Sequence, residues 1–266
     1  MADSYQGKDY KNILAYVKDG IGYMKFNRPK AMNAVSIDLL DEAIVVIEQY
    51  QYDSEVRVIL IYGEPHTFAV GADLREWVGC TPFTARDGDD KVQGTIMALE
   101  DSHKPVIAAV QGMALGGGLE MILACDLSIV DENAALGFPE INLGIFPGGG
   151  GTQRLPRNLS ICRAKQYIFT GDLFTGRAAY EMGMVNYAVP SDQVMDTAVK
   201  MARKLIAKSP LALREAKNAI NQSMNTDIKA GCRAEQLAWS MLFSSEDQKE
   251  GMRAFMEGRK PVFQGR

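Results

Sequence analysis

Two glutamates stand apart from every other charge in the chain. Between Lys104 and Asp126 the only charged residue is Glu120, and between Glu132 and Arg154 it is Glu140. Both are surrounded by apolar residues and glycine. Burying a carboxylate is costly unless it is paired, hydrogen-bonded or protonated. A chain that carries two such acids in core-like segments is placed to use them. Glu120 follows Gly116-Gly117-Gly118 and precedes MILAC. On a helix it shares its face with Leu123 and Ala124. The glycines permit a sharp turn and leave the first helical N–H groups open, where the dipole favours negative charge. Position alone also fits an acid that merely supports the helix start. Glu140 follows Pro139, which biases Phe138 to extended geometry. Phe138, Ile141, Leu143 and Ile145 give it apolar neighbours, and a dry site raises a carboxyl pKa. A structural acid bonded to loop N–H groups is the alternative.

A third segment, Phe68-Ala-Val-Gly-Ala-Asp-Leu74, puts small residues (Ala69, Gly71, Ala72) ahead of a helix start. Backbone there can approach a ligand closely. The Ala72 and Gly117 N–H groups would form a donor pair for an oxyanion, each worth roughly 3 kcal/mol in an acyl-type transition state. An ordinary strand-to-helix turn reads the same way. The glycine runs are not nucleotide motifs. Gly148–Gly151 lacks a following GK[ST], and Ala114–Gly118 is not GxGxxG, so the second run reads as a tight turn into a short helix. No GxSxG elbow is present.

The elements that would carry these residues alternate. Ile13–Lys18 and Ile21–Phe26 read as strands joined at Asp19-Gly20, a hairpin signal. Ser36 precedes a helical pattern of Leu39, Leu40, Ala43, Ile44 and Ile47. Val56–Tyr62, Val106–Val110 and Asp126–Val130 read as buried strands, with a polar helix over Ala85–Asp101. The expectation is α/β with a largely parallel core. From about Ser191 the pattern is helical: Val194–Ile206, Leu211–Met224, Ile228–Phe243 and Gln248–Glu257. Its apolar surface, with little sheet to rest on, suggests packing against another subunit.

Composition narrows the classes. The chain has 266 residues, 47% of them hydrophobic, with 29 basic and 33 acidic residues. That suits a soluble globular protein and argues against a nucleic-acid binder. Four dispersed cysteines and two histidines give no zinc pattern and suit a reducing compartment. No apolar run is long enough for a membrane span, and the opening MADSYQGKDYK lacks a signal-peptide core, so a cytoplasmic location is expected.

Four segments together carry a family resemblance: Asn27-Arg-Pro-Lys-Ala-Met-Asn-Ala34, Phe68–Asp73, Ala109–Asp126 (AVQGMALGGGLEMILACD) and Phe138–Gly148 (FPEINLGIFPG). In this order and spacing the chain resembles the enoyl-CoA hydratase/isomerase (crotonase) family over nearly its whole length. The resemblance implies a crotonase-like spiral of ββα units in residues 1–190 and a C-terminal helical trimerisation region in 191–266. It implies a homo-trimer, or a hexamer built as a dimer of trimers. It implies an acyl-CoA substrate whose thioester enolate is held by the Ala72 and Gly117 N–H groups, with Glu120 and Glu140 as the catalytic pair. Having both acids favours syn hydration of a trans-2-enoyl-CoA, as in fatty-acid β-oxidation. Glu120 would be anionic and orient water, and Glu140 would deliver the proton to Cα. Dienoyl-CoA hydration, enoyl-CoA isomerisation and a catalytically silent acyl-CoA or RNA-binding paralogue remain the rivals.

The same resemblance assigns CoA binding to Arg28, Lys30, Ala31, Ala69, Asp73 and Leu74, with Lys260 and Phe263 reaching an adjacent subunit's nucleotide. Trp77, Phe138 and Gly148 would line the acyl pocket, which Trp77–Gly94 would close. CoA is part of the substrate, so no separate cofactor and no metal is expected. Because the net charge is −4, attraction to CoA must be local, from Lys25, Arg28, Lys30 and the basic tail Lys249–Arg266.

Overall fold

The computed structural model describes residues 4–5 and 8–266. Much of the opening stretch that carried the signal-peptide reading lies outside the described residues. In chain order the elements are β1 (Ser4–Tyr5), β2 (Lys8–Asp9), β3 (Ile13–Lys18), β4 (Ile21–Phe26), α1 (Ile37–Tyr52), β5 (Val58–Tyr62), β6 (Thr67–Ala69), α2 (Leu74–Trp77) and α3 (Pro82–Glu100). Then come β7 (Val106–Val110), β8 (Met113–Leu115), α4 (Gly117–Ala124), β9 (Leu127–Asp131), β10 (Ala135–Gly137), α5 (Gly151–Asn158) and α6 (Ile161–Thr170). The rest is β11 (Phe174–Thr175), α7 (Gly176–Glu181), β12 (Tyr187–Val189), α8 (Val194–Ile206), α9 (Pro210–Ser223), α10 (Ile228–Met241) and α11 (Glu246–Met256).

The hairpin forms where the Asp-Gly pair places it. Lys18 pairs with Ile21 across a two-residue turn. Asp19 and Gly20 both have positive φ, as such a turn demands. Ser36 caps α1 by accepting from the Leu39 N–H. Several boundaries differ from the sequence reading by one to three residues, and three of the starts have a local cause. The strand expected from Val56 starts at Val58, because the Val56 N–H is still held by the Asp53 carbonyl in the turn leaving α1. The polar helix starts at Pro82, not Ala85, because Thr81 forms a capping box with Thr84 and Pro82 suits the first helical position. The last helix starts at Glu246 because Ser245 caps it.

Strands β12-β9-β7-β5-β4-β3 form a six-stranded sheet, parallel except for the β3–β4 hairpin. Strands β11-β10-β8-β6 form a smaller sheet in which β6, β8 and β10 are parallel neighbours. The chain winds from a strand of the large sheet to one of the small sheet, then through helix, three times over: β5–β6–α2/α3, β7–β8–α4, β9–β10–α5/α6. This is a spiral of ββα units. The main core holds residues of both sheets, of α1 and of α4, including Phe26, Leu39, Tyr50, Ile59, Phe68, Leu119 and Phe138. A second cluster lies on the other side of the large sheet. There Val194, Ala198 and Ala202 of α8 cover Ile21, Val58, Leu60, Ile107 and Ile129. The first helix after residue 190 therefore serves the sheet. By contrast α10 buries no residue. Leu237, Trp239, Met241, Phe255 and Met256, on α10 and α11, are all exposed. No helix of the described residues is long and apolar enough to cross a membrane.

Asn33 pins the first motif to the small sheet. It is buried, with φ of 52°, and its side chain accepts from the Arg28 N–H and donates to the Thr67 and Phe68 carbonyls. Asn33→Ala should cost about 2–4 kcal/mol, since the Arg28 N–H and the Phe68 carbonyl lose this partner, the Thr67 carbonyl keeps only the Glu64 N–H, and the left-handed backbone stays. The urea midpoint at unchanged slope measures it.

Candidate active site

Three loops leave the C-terminal ends of β6, β8 and β10, and because those strands are adjacent and parallel the loops meet at one edge. The β6 loop carries Gly71 and Ala72. It is fixed by the Val35 N–H on the Gly71 carbonyl (2.8 Å) and the Asp73 N–H on the Val35 carbonyl (2.9 Å). The β8 loop carries Gly116 and Gly117, and the Gly116 N–H bonds the Gly137 carbonyl at 3.0 Å. A methyl built on Gly71 would lie 3.7 Å from Gly116 Cα and 3.8 Å from Gly117 N, so the two backbones abut. Among the described loop hydrogen bonds, neither the Ala72 nor the Gly117 N–H is a donor. Two unspent backbone donors on abutting loops form a concavity for a carbonyl or enolate oxygen.

Glu120 occupies the first turn of α4, and only 2% of its surface is exposed. Its Oε1 accepts the Gly151 N–H at 2.7 Å. The glycine run before α5 is shaped around this carboxylate. A methyl at Gly149 would meet Glu120 Oε2 at 2.6 Å, and one at Gly151 would meet Oε1 at 3.0 Å. Glu140 lies in a short 3-10 turn, Pro139–Leu143, just past β10. Its Oε1 is 2.8 Å from where a methyl on Gly116 would sit, and Oε2 is buried without a hydrogen-bond partner. Both carboxyls thus border the Gly116–Gly117 turn. Burial pushes Glu120 up to about 7, helped by the nearby Glu140 charge and opposed by the Gly151 and Gly149 N–H groups. Burial also raises Glu140. Two carboxyls placed so close in a dry site oppose each other's ionisation.

The other expected site residues divide. Ala69 ends β6 against α4, where a methyl on Gly118 would lie 2.9 Å from its Cβ. Phe138 is fully buried and its Cε1 lies 2.9 Å from a methyl built on Gly151, so it is a wall under the Glu120 loop. Trp77 stacks over Gly88 of α3, and its Nε1 is buried without a partner. Gly148 lies beside α3, held by Gln93, whose Nε2 donates to the Gly148 carbonyl. Lys30, Ala31 and Leu74 stay on the surface or close to it. Arg28 and Asp73, both assigned to CoA, are paired with each other. Arg28 bonds Asp73 at 3.0 Å and the Ala34 carbonyl, and Arg75 also bonds Asp73 at 2.7 Å, holding that carboxyl well below its usual range. Lys25 pairs with Glu64 at 2.8 Å. Lys260 and Phe263 lie on the tail after α11, where Phe263 packs on Gly251. The tail's positive charge is reduced, since Arg259 pairs with Glu250 and Glu257, and Arg266 with Glu246. The sequence reading missed Gly151 and Gln93, because a backbone N–H and an amide on a polar helix give no signal in a single chain. Among the described residues no group of three or more His, Cys, Asp or Glu side chains is placed to hold a metal.

Abutting backbone loops at the ends of parallel strands, with a buried and a half-buried acid beside them, belong to an enzyme of the crotonase fold. Residues 16–266 match the family model described as enoyl-CoA hydratase/isomerase. The chain belongs to that family. It is 39% identical over 255 residues to the crotonyl-CoA hydratase of Syntrophomonas wolfei, covering 96% of this chain and 98% of that one. It is likewise 39% identical over 253 residues to the short-chain-enoyl-CoA hydratase of Clostridium acetobutylicum, covering 95% and 97%. The crystal structure of an enoyl-CoA hydratase from Bacillus anthracis superposes with a TM-score of 0.92 at 36% identity, covering 96% of this chain and 100% of that one.

The raised Glu120 fixes the sign of a pH effect. The folded state holds its proton above the ordinary value of 4.5, so Glu120's stabilising contribution is full below 4.5 and is lost as pH climbs through about 7. Wild type should therefore lose up to about 3 kcal/mol relative to Glu120→Gln between pH 4.5 and 7.5. Paired urea titrations at the two pH values read this, and a pH-independent difference contradicts it.

Proposed function

We propose that the protein is an enoyl-CoA hydratase that adds water reversibly across the 2,3 double bond of a short-chain trans-2-enoyl-CoA. The observation that carries this is the meeting of Glu120 and Glu140 beside the Ala72 and Gly117 N–H groups. The thioester oxygen accepts from those two N–H groups, which stabilise the negative charge that develops there. Water lies between the carboxyls. Ionised Glu120, oriented by the Gly151 N–H, accepts the water proton as oxygen bonds C3. The π electrons move into the enolate. Protonated Glu140 then gives its proton to C2, and the thioester carbonyl re-forms. One water is consumed, and the acids are restored by proton exchange within the pair. Acid–base assistance of this kind is worth about 10²–10⁴-fold, and with one acid ionised and the other protonated the pair performs both roles.

CoA enters as part of the substrate, with no separate cofactor. Lys30 and Ala31 border the nucleotide, and Lys260 and Phe263 reach the site of a neighbouring subunit. The exposed apolar side chains of α10 and α11 support assembly as a trimer or a dimer of trimers. The reading places the enzyme in the cytoplasm, without nucleic-acid or membrane partners.

Crotonyl-CoA should lose its enoyl-thioester absorbance on addition of the enzyme. Glu140→Gln should reduce that rate at least about 100-fold while CoA-ester affinity stays within about threefold. Near-normal turnover refutes the assignment. Sedimentation equilibrium should give three or six chains; a monomer at micromolar concentration refutes the assembly.

A further inference from the structure

A third carboxyl borders the site, on the side away from the N–H pair. Asp89 lies in α3, and a methyl built on Gly148 would fall 2.9 Å from its Oδ1. One residue on, a methyl on Gly149 would fall 2.6 Å from Glu120 Oε2. One on Gly117 would be 3.9 Å from the same oxygen. The contacts therefore run from Gly117 to Glu120, to Gly149, to Gly148 and to Asp89. With the thioester oxygen on Gly117 and the alkene at Glu120, as the hydratase reading has them, the Gly149–Gly148 backbone and Asp89 are the next groups an acyl chain would meet.

The position is built and its charge is not offset. Gln93, one turn along α3, hydrogen-bonds Asp89 and also grips the Gly148 carbonyl, holding the acid against that backbone. On its other flank the Trp77 ring packs on Gly88. The charges beside Asp89 are of its own sign: Asp90 on α3 and Glu120 on α4. Among the described residues no salt bridge includes Asp89. The basic group across the glycine loop, Arg154 of α5, is taken by Glu100 and the Gly149 carbonyl. Arg86, one turn back, is exposed to solvent.

We propose that Asp89 is a specificity-determining residue that rejects acyl chains ending in a carboxylate, so that the enzyme selects uncharged enoyl chains. This rests on the hydratase reading above. A negative charge entering a partly dry site beside the Asp89 carboxylate meets repulsion that an uncharged chain of equal length does not.

The test compares trans-2-hexenoyl-CoA with trans-2-hexenedioyl-CoA, which differ only in the terminal carboxylate. Wild type should prefer the uncharged ester by about tenfold or more in kcat/KM. In Asp89→Asn that ratio should fall at least about fivefold, through a rise in the diacid value carried by its KM. A gain on one substrate is not an effect that structural damage produces. Hexanoyl-CoA and adipoyl-CoA, compared by calorimetric Kd on both proteins, read the same preference without turnover. Failure of hydration with the charge preference intact thus counts against the hydratase reading alone. Equal use of both esters by wild type, or an unchanged ratio in Asp89→Asn, overturns the assignment of Asp89.

Discussion

The hydrogen bond from the Gly151 N–H to the Glu120 carboxylate joins the start of α4 to the start of α5. Most of the site's geometry depends on it. A carboxylate with 2% exposure would otherwise have to protonate fully or move. The bond keeps an ionised form accessible and points one oxygen at a fixed partner. It explains the glycines on both sides of it: side chains at Gly149 or Gly151 would collide with the acid they surround. Gly116 obeys the same constraint toward Glu140, and its φ of 50° adds a backbone reason.

The carboxyls meet because β6, β8 and β10 are neighbours in one small parallel sheet. Leu115 pairs with Gly137 across that sheet, which sets the end of β8 beside the end of β10. Phe138 then runs straight into the buried wall, and Pro139 starts the turn that returns Glu140 toward Gly116. The large sheet supplies rigidity, with its far face closed by α8. Rigid strands ending at mobile chemistry are a recurrent arrangement in α/β enzymes.

Toward the C-terminus the balance of forces changes. The α8 helix is a component of the core, whereas α10 and α11 leave large side chains such as Trp239 and Phe255 in solvent. Arg259 and Arg266 are meanwhile held by acids of α11 and its approach, and the Glu246 and Asp247 N–H groups hold the Arg266 carbonyl, so the tail folds back on its own helix.

Local chemistry made much of this legible from one chain. Asp19-Gly20 fixed a hairpin, Ser36 a helix start, and the β-branched runs the central strands, because each depends on neighbours within a few residues. The two acids were visible because isolation among apolar residues is itself a sequence property. Charge pairing was not visible. Arg28 and Asp73 lie 45 positions apart and look like free ligands until the fold closes them on each other. Asp89 sits in an acid-rich helical run, DGDD, that reads as a solvated face; only the packing of α3 over the Gly148 loop turns one of those acids inward. Residue type and spacing therefore determined which groups are present and which helix or strand each rides on. Tertiary structure decided which carboxyls face each other and which charges are neutralised, because both depend on which strand ends become neighbours across long stretches of chain.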